Sequence, residues 1–276
     1  LPTLKHVEQI TKIESFKIAL YTTNVGKNIH LIRDNQIKHV FIGHGDSDKS
    51  GSANNLMKLY DHMFVAGQAH IDRIKRKKIF VSDNYFLKIG RPQLSILNFK
   101  SNNKFTILYA PTWEGFYKDS CYSSLGILKN QIKNILNENV VDFHFKPHPL
   151  TGSVDNSYKK YSKEFKSLSS ENHNILYKYL FDSDILIADI SAILSDYLYF
   201  NKPIILFKPE CIKDIEEECP ISKCAYIIDY KTNLAEVIEK IKSDDYLLEK
   251  RNLMREYIMG HKNITFDQAL EKVSNY

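Results

Sequence analysis

Residues 182–207 read DSDILIADISAILSDYLYFNKPIILF. Residues 184–188 form an apolar run of strand length, stopped by Asp189-Ile190-Ser191. Residues 190–200 carry helical spacing, and Lys202-Pro203 opens a second apolar run over 203–207. Strand, helix and strand in so short a span are the unit of a parallel α/β sheet. A serine in the first turn of a helix, just after a buried parallel strand, makes an anion site: the unpaired amides and the helix dipole both point at what binds there.

Outward from this unit the same alternation continues. Residues 16–22, 38–42, 63–66 and 85–89 read as strands, with helices expected over 52–60 and 67–76. The polar stretch Ser101-Asn102-Asn103-Lys104 reads as a linker. Beyond it, strands are expected at 105–110, 140–146 and 225–228, and helices at 123–137, 232–242, 245–258 and 266–274. Residues 151–173 read as a loop with a short helix. The expected fold is α/β with two Rossmann-like lobes, residues 1–101 and 102–276, the last helix being a candidate to cross back.

The chain has 276 residues and a net charge of +5, from 38 Lys plus Arg against 33 Asp plus Glu. That balance favours anionic ligands or an anionic membrane surface, and no nucleic-acid signature accompanies it. No run reaches the length of a membrane helix, and no signal peptide is expected from the sequence given. The sequence begins at Leu1 and reads as a possible fragment. Cys121, Cys211, Cys219 and Cys224 fit no zinc spacing and read as reduced cytosolic thiols.

Four motifs each follow an expected strand. In Gly43-His44-Gly45-Asp46-Ser47-Asp48-Lys49, flanking glycines leave an imidazole open for general-base work; the plainer reading is a turn histidine. Tyr109-Ala110-Pro111-Thr112-Trp113-Glu114-Gly115 holds the single Trp, and packing alone would account for it. In Phe145-Lys146-Pro147-His148-Pro149 two prolines stiffen a segment whose cations suit a diphosphate. In Asp189–Asp196, Ser191 offers a hydroxyl to phosphate and Asp196 a carboxylate to a ribose, while simple helix capping uses the same geometry.

Taken in order, these motifs resemble those of the CDP-glycerol:poly(glycerophosphate) glycerophosphotransferase family, the teichoic-acid and capsule polymerases. His44-Gly45 with Lys49 is similar to its HGTPLK, Tyr109–Trp113 to YAPTWR, and Lys146–Pro149 to K-x-H-P. Leu186–Tyr197 resembles LITDYSSVxFDY, Lys202–Ile205 resembles KPIIF, and Gly90-Arg91-Pro92 resembles the G-x-P turn. The sequence departs from these patterns at Ile190, Ala192, Glu114 and Asp46-Ser47-Asp48. The resemblance implies a GT-B fold, two lobes with parallel sheets facing a central cleft, acceptor on the first and CDP-activated donor on the second. It implies His44 as the base and His148 as a second catalytic group. Lys146, Asp189, Ser191, Asp196 and Thr112 would form the donor set, with Gly45 and Lys49 at the acceptor or phosphate.

The activity implied is transfer of an alditol phosphate to a hydroxyl of a teichoic-acid-like or capsular polymer or lipid-linked primer, with release of CMP. No cofactor or divalent metal is expected: Asp46-Ser47-Asp48 and Asp182-Ser183-Asp184 spell DxD in unconvincing places. Arg73, Lys75, Arg76, Lys77 and Lys78 form a basic run that would suit an anionic membrane from the cytoplasmic side, a solvated helix face being the plainer reading. The rival readings are a GT-B glycosyltransferase using a sugar nucleotide and a non-catalytic nucleotide-binding module.

Overall fold

The computed structural model describes residues 4–43, 54–95, 104–115, 122–138, 141–170, 176–260 and 263–275. These gather into two compact units, one of the residues up to Ser95 together with those from Glu256 onward, the other of residues 104–255.

In the first unit α1 (Leu4–Ile13) leads into β1 (Ile18–Tyr21), α2 (Ile29–Ile32) and β2 (Lys38–Phe41). Then follow β3 (His62–Val65), α3 (Gln68–Arg76), β4 (Phe86–Lys88) and α4 (Pro92–Ser95). The strands lie in the order β1-β2-β3-β4, all parallel. Because side chains alternate across a strand, Phe41, Met63 and Val65 face one core with Tyr60, Ile71 and Ile74. Val40, Phe64 and Leu87 face the other, which Ala269 and Val273 cover.

The second unit runs β5 (Thr106–Ala110), α5 (Lys129–Glu138), β6 (Asp142–Phe145), α6 (Asn156–Leu168), α7 (Leu176–Asp182) and β7 (Ile185–Ala188). It continues with α8 (Ile193–Tyr197), β8 (Ile204–Phe207), α9 (Ile215–Glu218), β9 (Tyr226–Ile228), α10 (Leu234–Ser243) and α11 (Leu248–Met259). Residues from Glu256 onward, including α12 (Phe266–Ser274), group with the first unit. The second sheet is also parallel, in the order β6-β5-β7-β8-β9. Strands β5, β7 and β8 are buried at every position, as expected of a parallel sheet covered on both faces. Tyr109, Phe145 and Phe165 pack together as its aromatic centre, with ring centroids 5.1–5.8 Å apart.

The α/β class and the nine expected strands are present among the described residues. Helices differ more. The stretch expected as a loop with a short helix over 151–173 contains the thirteen-residue α6, whose Tyr158, Tyr161 and Phe165 recur at helical spacing and whose start Asp155 caps through Ser157 N. The helix expected over 123–137 begins only at Lys129, because Ser123 and Ser124 are held in a turn. Within 52–60 the described part is a 3-10 turn, Asn55–Leu59. Helices α1, α2, α4, α7 and α9 were not anticipated by the periodicity. No described helix is long and apolar enough to cross a membrane.

Candidate functional site

The second sheet has a reversal in its order and the first does not. From β5 the chain goes to β6 on one side, then returns to lay β7 on the other. The loops leaving the carboxyl ends of β5 and β7 therefore part, and open α/β sheets bind ligands in the crevice formed there. The loops that bound it are residues 111–115 after β5, 146–150 after β6 and 189–192 after β7. Three of the four sequence motifs thus converge on one edge. The fourth, with His44, Gly45 and Lys49, lies outside the described residues.

Asp189 ties this edge together. It is 0% exposed, and its carboxylate accepts from the backbone N–H of Thr112 at 2.8 Å and of Ser124 at 3.1 Å. These bonds fasten the β5 loop to the β7 loop. Thr112, 4% exposed, accepts from Ser123 Oγ at 2.8 Å through its carbonyl. Tyr109, one strand position before the loop, shares a 3.0 Å hydrogen bond with Ser124 Oγ. Burial, reinforced by the nearby Asp189 charge, pushes its hydroxyl well above the usual tyrosine value.

Glu114 does the same for the β6 side. Its carboxylate accepts from Gly152 N and Val154 N, both at 2.9 Å, and from Asp155 N at 3.1 Å. Burial alone would raise its carboxyl, but these amides outweigh it and hold the group below its ordinary value. Gly152 sits at φ +81°, where a Cβ would lie 2.3 Å from Lys159 Cγ and 2.9 Å from the Lys159 nitrogen, so the turn requires glycine.

Trp113 and His148 stack between these anchors, their rings 6.1 Å apart and inclined by 20°. His148 Nδ1 accepts from Leu150 N at 3.1 Å. That bond makes Nε2 the protonated nitrogen of the neutral ring, a donor of the kind a phosphate oxygen takes. Lys146 N donates to Tyr109 O at 3.0 Å, keeping the β6 exit in register with β5, and its side chain is half-buried. Ser191 Oγ donates to Asp189 O at 3.2 Å. Asp196 is half-buried in α8. Trp113, Ser123 and Ser124 belong to this edge and were not singled out as site residues by the motifs. Their only sequence signal is adjacency to the strand end.

Several expectations change in detail. The helix expected from residue 190 starts at Ile193 and runs to Tyr197, continued by a 3-10 turn over Leu198–Phe200. Ser191 thus precedes the helix instead of occupying its first turn. Asp182 pairs with Lys178, and Asp184 accepts from Thr106 N at 2.8 Å, so this DxD spelling serves the opposite, amino end of the strands. Lys202 is also there, donating to the carbonyls of Phe181 and Ser183 at 2.6 and 2.7 Å. Its burial lowers the ammonium pKa against the pull of Asp184 and Asp182. In the basic run, Arg73 is 8% exposed on the inward face of α3 and leaves the surface set, while Lys75, Arg76, Lys77 and Lys78 are exposed. Among the described residues no cluster of three or more His, Cys, Asp or Glu is set to hold a metal ion. Cys211, Cys219 and Cys224 are free thiols, and Cys121 lies outside the described residues.

The family model described as "CDP-Glycerol:Poly(glycerophosphate) glycerophosphotransferase" matches residues 59–263. The teichoic acid glycerol-phosphate primase of Bacillus subtilis (strain 168) is 29% identical over 159 residues, covering 54% of this chain and 39% of the relative. The teichoic acid poly(glycerol phosphate) polymerase of Bacillus spizizenii (strain ATCC 23059 / NRRL B-14472 / W23) is 30% identical over 152 residues, covering 49% and 36%. The chain therefore spans less than half the length of these relatives. The solved structure of the wall teichoic acid polymerase TagF aligns with a TM-score of 0.58 at 15% identity, over 95% of this chain and 72% of that one. At that identity the likeness speaks for the fold alone, and it agrees with the GT-B class of two parallel α/β sheets.

Proposed function

The chain belongs to the CDP-glycerol:poly(glycerophosphate) glycerophosphotransferase family, and on that premise we propose that it moves an alditol phosphate from a CDP-activated donor to a hydroxyl of a teichoic-acid-like polymer or primer. The observation that carries this reading is the convergence of Lys146, His148, Thr112 and Ser191 on the switch point of the second sheet. Solved TagF has been soaked with CDPG, which supports a cytidine diphosphate donor here by analogy.

In this reading the acceptor oxygen forms a bond to the donor's β-phosphorus as the bond from that phosphorus to the bridging oxygen breaks. The acceptor proton passes to His44. The electron pair of the broken bond stays on the bridging oxygen, which leaves as part of CMP. Lys146, the Nε2–H of His148 and the Ser191 hydroxyl would stabilise that charge; phosphoryl transfer asks mainly for positioning and charge stabilisation. Protein cations fill the role, so a chelator should leave turnover unchanged. Asp189 and Thr112 would contribute by fixing the loops. Gly45 and Lys49 would serve the acceptor or its phosphate. Lys75, Arg76, Lys77 and Lys78 would hold the protein to the anionic inner face of the cell membrane, or near a capsular polymer.

Thermal stabilisation by CMP, CDP, CDP-glycerol, UDP and GDP tests the donor. Cytidine nucleotides alone should raise the melting temperature, and CMP release should then depend on an acceptor. Stabilisation by UDP instead would replace this reading with sugar-nucleotide transfer. The His44→Ala variant should lose turnover and keep donor binding; near-normal turnover would remove His44 from the role of base.

A further inference from the structure

Two adjacent residues of the β5 loop hold the β6 loop at two separate places. Glu114 takes the amides of Gly152, Val154 and Asp155. Trp113 lies against the ring of His148, with centroids 6.1 Å apart and planes inclined by 20°. The Trp113 backbone is fixed from both sides, by the Asp189 bond to Thr112 N and by the Glu114 bonds. On the other loop, Pro147 and Pro149 flank His148, and the His148 carbonyl accepts from Thr151 N at 3.0 Å. These features settle the backbone at His148 but do not set the angle of its ring. The Leu150 N bond to Nδ1, at 3.1 Å, gives one direction in the ring plane. A single hydrogen bond lets a ring rock about its axis. The indole face supplies the missing constraint, because aromatic rings favour such an offset, near-parallel arrangement.

We infer that Trp113 is a positioning residue for His148: its indole sets the plane of the imidazole and, together with Leu150 N, the direction in which Nε2–H points. The inference rests on the proposed role of His148 at the departing phosphate. Charge that builds only in the transition state is stabilised best by donors already aimed at it, and small misplacement is expensive in rate. Glu114, one of the departures from the family's motif, is then the anchor of this platform, since its bonds keep the β6 loop beside the residue that carries the indole. The alternative is that Trp113 meets a ligand itself, by stacking on a nucleobase. The two roles differ in one respect. A positioning residue has nothing left to do once His148 is removed, whereas a residue in contact with ligand acts whether or not His148 is present.

Trp113→Leu keeps an apolar side chain and removes the flat face; Trp113→Phe keeps a flat face. Trp113 is half-buried, so both variants should fold. Each is made in the full chain, alone and with His148→Ala. The ring resonances of His148, assigned by their loss in His148→Ala, are followed by NMR. Steady-state CMP release is measured with CDP-glycerol as donor and a glycerol phosphate oligomer as acceptor. Trp113→Leu should move the His148 resonances, and Trp113→Phe should move them less. Trp113→Leu should lower kcat by about tenfold to a hundredfold with KM for CDP-glycerol nearly unchanged, and Trp113→Phe should recover most of that loss. In the His148→Ala background, Trp113→Leu should cost little more. Unmoved His148 resonances in Trp113→Leu overturn the contact whatever the reaction is. A loss of the same size with and without His148 overturns the positioning role in favour of direct ligand contact, and leaves the proposed function standing. Full CMP release by His148→Ala overturns the role of His148 and, with it, this inference. No CMP release by the wild type overturns the proposed function, and the role of Trp113 falls with it.

Discussion

Glu114→Ala should unravel the β6 side of the site. The carboxylate accepts three backbone amides, those of Gly152, Val154 and Asp155. Hydrogen bonds to a charged group contribute about 1.5–3 kcal/mol each, which would sum to roughly 5–9 kcal/mol if all three amides stayed dry. They do not. Val154 is 53% exposed and Asp155 is at the surface, so water replaces their partner at small net cost. Gly152 is buried, and its orphaned N–H costs about 1–3 kcal/mol. Adding about 0.5 kcal/mol for each exposed amide gives a loss near 3 kcal/mol, or roughly 6–12 °C in the melting temperature of a unit this size. Glu114→Gln should not restore it, since its amide nitrogen must face a donor on one side.

The pH dependence has a definite sign. The Glu114 carboxyl is held below its ordinary value of 4.5, so its stabilisation is complete above that value and is lost as pH falls through the lower folded value. The gap between wild type and Glu114→Ala should therefore be full at neutral pH and close in acid. Differential scanning calorimetry at pH 7 and at about pH 3 reads both. A shift of under about 2 °C at pH 7, or a gap that widens in acid, would refute the reasoning.

Three further outcomes are expected. Asp189→Ala should destabilise the second unit by about 2–6 kcal/mol in urea titration, because the buried N–H groups of Thr112 and Ser124 both lose their acceptor, at about 1–3 kcal/mol each. Lys78→Gly should stabilise the first unit by about 0.5–1 kcal/mol: Lys78 has φ +56° at the end of α3, where its N–H bonds Lys75 O at 2.9 Å and Ile79 N bonds Ile74 O at 3.4 Å, a Schellman ending that favours glycine. Arg251→Ala should cost about 3–5 kcal/mol by the same assay, since its 0% exposed guanidinium pairs with Asp245 through two bonds.

The strands were legible because a parallel sheet covered on both faces needs continuous apolar runs, and TILYA, ILIA and IILF are such runs. Strand order followed less directly: alternation implied parallel sheets, but only pairing shows β5 lying between β6 and β7. The helix ends were misjudged where side chains serve distant loops. Ser124 is held by Asp189, 65 residues away, and nothing local in Ser123-Ser124 announces that the helix must wait for Lys129. Likewise Glu114 stood out only as a departure from a family pattern. Its partners lie 38 to 41 residues on, beyond any spacing rule.

Glu114 and Asp189 also bear on how the proposed donor site would hold two buried carboxylates near it. Left uncompensated, each would repel the ligand and resist burial. Instead Glu114 spends its oxygens on three amides and Asp189 on two, so each negative charge is met by backbone dipoles within the wall. Lys146, His148 and Ser191 lie on the same loop edge as these two carboxylates. This arrangement makes a separable claim about Asp189. If it touched the donor, Asp189→Ala would raise KM for the donor at unchanged stability. If it holds the β5 and β7 loops, the same substitution lowers the melting temperature before any donor is added, and the geometry predicts the second result.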